Sequence, residues 1–131
     1  MAARLAKQVS RQGREARFTA GDRQRLERAL ETYLKRCYEG RTAARVTEFA
    51  TFLGIGRRHL TDVFNRIFGR PPRDILRDHQ VEHACYLLRA TPLSTTDIAV
   101  ASAFGTQMTF FRVFRQRMDM LPDEYRRQAA K

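Results

Sequence analysis

The feature that most constrains this chain is an internal repeat with a period of about fifty residues. In the first copy Phe49 and Ala50 lead to Gly54 and Ile55, then to Leu60, Val63, Phe64 and Phe68, then to Gly69, Pro72 and Ile75. In the second, Ile98 and Ala99 lead to Ala103 and Phe104, then to Phe110, Val113, Phe114 and Met118, then to Asp119, Pro122 and Tyr125. The copies hold register except for one extra residue ahead of Phe110. Matching at so many positions predicts one small fold used twice, and 131 residues suit one domain or two very small ones that share a helix.

Within each copy the apolar residues advance by three and four, the spacing of one helical face. A short helix carries a small residue, Ala50 or Ala99, over which a second helix can cross closely. A tight turn favouring Gly or another small residue separates them. This is helix-turn-helix geometry. Ser94, with Asp97 three residues on, forms a capping box at the start of the second unit, whereas Arg45 at the equivalent first-unit position cannot cap.

Helical spacing also appears outside the repeat. Leu26, Ala29, Leu30, Tyr33, Leu34 and Cys37 predict a first helix from Asp22 to about Tyr38, with Thr19 or Gly21 to begin it and Gly40 to end it. Arg73 to Arg89 reads as a long connecting helix with Ile75, Leu76, Val81, Ala84, Cys85, Leu87 and Leu88 apolar, closed by Pro92. Residues 1–18 carry five arginines and lysines against the single acid Glu15 and read as a basic arm. The expected organisation is therefore all-α: arm 1–18, first helix and first helix-turn-helix unit 19–72, connecting helix 73–90, and second unit 91–131.

Charge narrows the partners. With 25 Lys and Arg against 14 Asp and Glu, the formal net charge is +11, which favours a polyanion. Apolar runs such as Ile98 to Ala101 are too short to cross a bilayer, and no signal-peptide core follows Met1, so a cytoplasmic protein without a membrane partner is expected. Cys37 and Cys85 lack metal-site or CxxC spacing and read as reduced thiols. His79-Gln80-Val81-Glu82-His83 spells H-x-x-E-H, but a zinc site needs a third ligand, and the remaining histidine, His59, belongs to the first recognition segment. Gly54-Ile55-Gly56 has no preceding strand and no third glycine, so it implies no nucleotide site. No nucleophile stands with a base and an orienting acid. Neither enzyme, cofactor nor metal is expected.

The same residues resemble the AraC/XylS family of bacterial transcription regulators, from about Arg25 to Arg127. The most specific stretch runs through Asp97-Ile98-Ala99, Ala103-Phe104 and Phe110-Phe111-Arg112-Val113-Phe114-Arg115 to Pro122-Asp123-Glu124-Tyr125-Arg126. The first unit adds Gly54-Ile55, His59-Leu60, Val63-Phe64 and Phe68-Gly69. The resemblance implies two helix-turn-helix subdomains joined by a long connecting helix. Ala103 and Asp119 stand where that family usually has Gly, Gln80 where it has Arg, and Leu121 where a small residue precedes the proline. These departures read as nuances at the ends or turns of helices. The likeness is to the short, stand-alone members, with a piece of a longer regulator as the alternative.

On this reading the partner is double-stranded DNA, bound by a monomer through the outer arcs of the two second helices. Arg58 and Arg112 suit guanine, Gln107 suits adenine, and Thr61 and Thr109 suit several bases. Met108 and Phe111 join the base-reading arc, Phe111 against a thymine methyl or sugar, or else against a neighbouring helix. Asp62 lies on the same arc, four residues from both Arg58 and Arg66, and an ion pair orienting those arginines is its favoured role. Arg57, Arg66, Arg73 and Arg115 are expected on phosphates. Phe52 marks either a protein contact, with RNA polymerase or a second subunit, or packing under the first helix. The alternative function is an architectural protein that coats DNA without sequence preference.

Overall fold

A computed structural model describes residues 20–130. The expected basic arm therefore lies outside the described residues, as does Thr19. Within them the chain is entirely helical: α1 (Ala20–Gly40), α2 (Val46–Leu53), α3 (Arg57–Phe68), α4 (Pro72–Ala90), α5 (Thr95–Ala101), α6 (Gln107–Met118) and α7 (Pro122–Ala129). These divide into two compact units. Of the described residues, the first takes those up to Lys35 together with Arg45–Leu76, and the second takes Arg36–Ala44 with those from Arg77 onward.

In the first unit α1 buries Leu26, Ala29, Leu30, Tyr33 and Leu34. Against this stripe α2 sets Phe49, Ala50 and Leu53, and α3 sets Leu60, Val63 and Phe64. Phe49 meets Phe64 edge to face at 5.8 Å and Tyr33 at 5.2 Å, so three helices share one aromatic cluster. Phe52 is half-buried with its ring 5.7 Å from Tyr33, so it packs on α1. Arg45 begins α2 without a side-chain cap, as its chemistry requires. The Tyr33 hydroxyl compensates by accepting from the Arg45 amide at 3.0 Å.

The second unit packs Val81, Ala84, Cys85 and Leu88 of α4 against Ile98, Ala99, Phe104, Phe110, Val113 and Phe114. Ser94 caps α5 by accepting from the Asp97 amide at 3.1 Å. Arg126 of α7 donates to the carbonyls of Leu88, Thr91 and Leu93, so it occupies backbone acceptors in the last turn of α4 and in the segment that follows it. Arg117 pairs with Asp78 at 3.0 Å.

Two positions differ from the expectation, and a third is the extra residue expected ahead of Phe110. Helix α1 extends through Gly40, and the left-handed residue that follows is Arg41, at φ 55°. The amide of Thr42 then reaches back to the Cys37 carbonyl at 3.0 Å and closes the helix without glycine. Gln80 is not at a helix end: it lies within α4, is only 1% exposed, and donates to the carbonyls of Ser102 and Ala103 at 3.1 and 2.8 Å. The extra residue of the second copy is Gly105, at φ 82°, where a Cβ would come within 3.1 Å of the Ala43 side chain.

Candidate nucleic-acid interface

Each unit contains a helix of 12 residues whose two sides differ in chemistry. Helix α3 starts after Gly56, in extended conformation, and stops at Gly69, at φ 69°. Its buried arc of Leu60, Val63 and Phe64 holds the core. Arg57, Arg58, Asp62, Asn65 and Arg66 are exposed on the other side, and Thr61 is half-buried at the margin with its hydroxyl donating to the Arg57 carbonyl at 3.0 Å. Asp62 bridges Arg66 at 3.3 Å with both side chains more than half exposed. A solvated pair of that kind contributes about 0 to 1 kcal/mol, little enough for a phosphate to compete for the guanidinium. Arg73 is exposed in the first turn of α4.

Helix α6 is started differently. Thr106 accepts from the Thr109 amide at 3.1 Å and donates to the Thr109 hydroxyl at 2.9 Å. The Thr-x-x-Thr spacing was a legible cap signal that the sequence reading passed over. The helix stops at Asp119, at φ 56°, where the first unit uses Gly69. Gln107, Met108, Arg112 and Arg115 are exposed. Thr109 is half-buried, and so is Phe111, which packs against the core cluster with its ring 5.9 Å from that of Phe110. Gln107 donates from Nε2 to the Thr95 hydroxyl at 3.1 Å, tying the first residue of α6 to the first residue of α5. No spacing rule pairs those two residues, so this contact had no signal in the sequence.

The H-x-x-E-H segment lies on α4 with His83 stacked on Tyr38, ring centroids 3.9 Å apart and 4° from parallel. Burial pushes the His83 pKa down, opposed by a hydrogen bond with the Ala101 backbone. Among the described residues no group of three His, Cys, Asp or Glu side chains is placed to hold a metal ion. No helix among them is long and apolar enough to cross a membrane.

Two buried cores, each backed by a helix with an uncovered polar and basic arc, define a tandem helix-turn-helix protein. A helix-turn-helix domain model matches residues 49–128, more than half of the chain, and the protein belongs to the AraC-type helix-turn-helix family. It is 29% identical over 106 residues to the HTH-type transcriptional regulator GlxA of Rhizobium meliloti (strain 1021), covering 81% of this chain and 30% of that relative. The crystal structure of an AraC-type transcriptional regulator from Chromobacterium violaceum superposes with a TM-score of 0.69 at 25% identity, over 86% of this chain and 98% of that one. The DNA-binding domain of AdpA, solved in complex with a target DNA, shares the fold with a TM-score of 0.68 at 21% identity, over 79% of this chain and 90% of that one. The family is one of transcription regulators and not of enzymes.

Proposed function

We propose that the protein is a sequence-specific, double-stranded DNA-binding transcription regulator in which α3 and α6 enter successive major-groove segments. The observation that carries this reading is the duplicated helix with a buried core on one side and arginine and glutamine uncovered on the other, threonine lying half-buried at the margin. An α-helix of this width fits the major groove, where each base pair presents a distinct donor and acceptor pattern. The net charge of +11 supplies the phosphate attraction. The domain of AdpA, of the same fold, is solved on a target DNA, which supports the choice of ligand.

Residue roles follow from reach and chemistry. Arg58 and Arg112, exposed on the outer arcs, are the guanine readers, and Gln107 is the adenine reader. Thr61, Thr109 and Phe111 line the edge of the arc. Asp62 orients Arg66, which with Arg57, Arg73 and Arg115 fixes register on phosphates. Two different units in one chain call for a non-palindromic site bound by a monomer, with subsites about 10 base pairs apart.

Selection from random duplex DNA, followed by titration at several salt concentrations, tests this reading. A single enriched site should emerge, with log affinity falling against log salt at a slope of about −5 to −8, for roughly six to nine neutralised phosphates. Equal affinity for scrambled duplexes would replace it with a non-specific architectural role. Five base pairs inserted between subsites turn one of them half a turn away, so binding should drop toward that of one unit.

A further inference from the structure

The repeat aligns the two recognition helices residue by residue, and their first turns do not carry the same chemistry. Helix α3 opens with Arg57 and Arg58 and α6 with Gln107 and Met108, the first two residues after the N-caps Gly56 and Thr106. Met108 is 82% exposed, the most exposed large apolar side chain among the described residues. It stands where the first unit has its exposed guanine reader. Phe111, the other apolar residue near this arc, is half-buried against the core and has less surface to offer.

Gln107 beside it is held. One Nε2 proton is given to Thr95 at 3.1 Å, and a primary amide has a second N–H and a carbonyl oxygen in hand. Those are the donor and acceptor that adenine N7 and N6 require. A methionine, unbranched and polarizable, adapts to a methyl group, and the thymine methyl is the one apolar group that the major groove presents. An isolated exposed methionine would need no explanation. Here it occupies the register of a reader and adjoins an anchored adenine-type side chain.

We infer that the first turn of α6 reads A·T pairs, with Met108 on a thymine methyl, Gln107 on adenine and Thr95 as the residue that positions Gln107, beside the guanine assigned to Arg112 one turn further on. This rests on the reading that α6 lies in the major groove. In the first unit the matching turn of α3 carries Arg58 and reads a G·C pair.

The test uses the full chain and the duplex enriched from the random pool. Each thymine of that duplex is replaced in turn by deoxyuridine, which removes only the 5-methyl group. At one position the wild-type protein should lose about fourfold in affinity, the factor that one buried methyl carries. Met108→Ala, at a solvent-exposed site with no part in the core, should abolish that loss and leave the salt slope unchanged. Thr95→Val should reduce the preference for A·T over G·C at one position without moving the melting temperature, and Thr95→Ser should restore it. Indifference of the wild type to every deoxyuridine, or an unchanged loss in Met108→Ala, would overturn the methyl contact. An unchanged A·T preference in Thr95→Val would overturn the positioning role. A pool from which no sequence is enriched would overturn the proposed function itself, whereas an enriched site with G·C pairs throughout would overturn only this inference.

Discussion

The two units solve the same folding problem with different local chemistry. In the first, α2 ends at Gly54 in the left-handed region, at φ 75°, where glycine has no Cβ to clash. In the second, the matching residue is Ala103, at φ 64° and buried, a conformation that costs an alanine about 1 to 2 kcal/mol. Both turns close with the same backbone bond, Ile55 to Ala50 at 3.0 Å and Phe104 to Ala99 at 2.9 Å. The second unit supports its strained turn from outside: Gln80 donates to the carbonyls of Ser102 and Ala103, and the Ala44 amide also donates to Ala103. Where the first unit buries Leu53, the second buries Ser102, whose hydroxyl has no partner. A turn can thus lose its glycine if a buried amide elsewhere in the unit holds its carbonyls.

The largest effect should come from the matched core aromatics. Phe64→Ala and Phe114→Ala each remove a fully buried ring and should each cost about 3 to 5 kcal/mol in denaturant unfolding. Costs that differ by more than the spread of that range would break the equivalence of the two cores. Gln80→Leu keeps the volume but strips the Ser102 carbonyl of its donor, and should destabilise by about 1 to 3 kcal/mol. A neutral result would show that the turn holds its own shape, as the first unit's glycine turn does.

On DNA, Arg58→Ala and Arg112→Ala should each weaken specific binding by about 1 to 3 kcal/mol and relax preference at separate base pairs. A uniform loss across all sequences, measured on a panel of duplexes, would make either residue a phosphate contact. Smaller again is the capping difference. Ser94→Ala should cost about 1 kcal/mol by calorimetry, while Arg45→Ser, placing a cap on an already extended backbone at φ −134° and ψ 140°, should gain a fraction of that.

The smallest effect concerns pH and only the second unit. Burial holds His83 below its ordinary pKa of 6.5, so the unfolded chain binds more protons once pH falls under that value. The second unit should keep its full stability above it and lose stability as pH drops toward the folded-state pKa. Melting followed between about pH 7 and 5 should show this slope, and His83→Phe, which retains a ring against Tyr38, should flatten it.

Much of the fold was legible because hydrophobic spacing is a local property. The repeat exposed both helix pairs, Ser94 announced its cap, and the apolar stripes of α1, α3, α4 and α6 marked their buried faces. The candidate site was legible to the same depth. Periodicity sorts α6 into an inner and an outer arc, and Arg58, Gln107, Met108 and Arg112 lie exposed on the outer ones as the spacing implies. It could not grade residues at the margin. Phe111 shares its half-turn with exposed neighbours, and only packing against the core cluster shows it half-buried while Met108 stays 82% exposed.

By itself, then, the sequence determined the all-helical class, the duplication and the residues available on each outer arc, since all three depend on spacing along the chain. Tertiary structure alone decided that Gln80 clamps a turn 22 and 23 residues away, that Thr95 holds Gln107 across 12, and that Phe52 packs on Tyr33. It also decided that Arg41, and not Gly40, takes the left-handed position after α1. Such pairings depend on where helices cross and on which backbone groups a neighbouring helix can satisfy. Neither leaves a period in the sequence, because the partners sit on different elements and are matched by geometry after the core has formed.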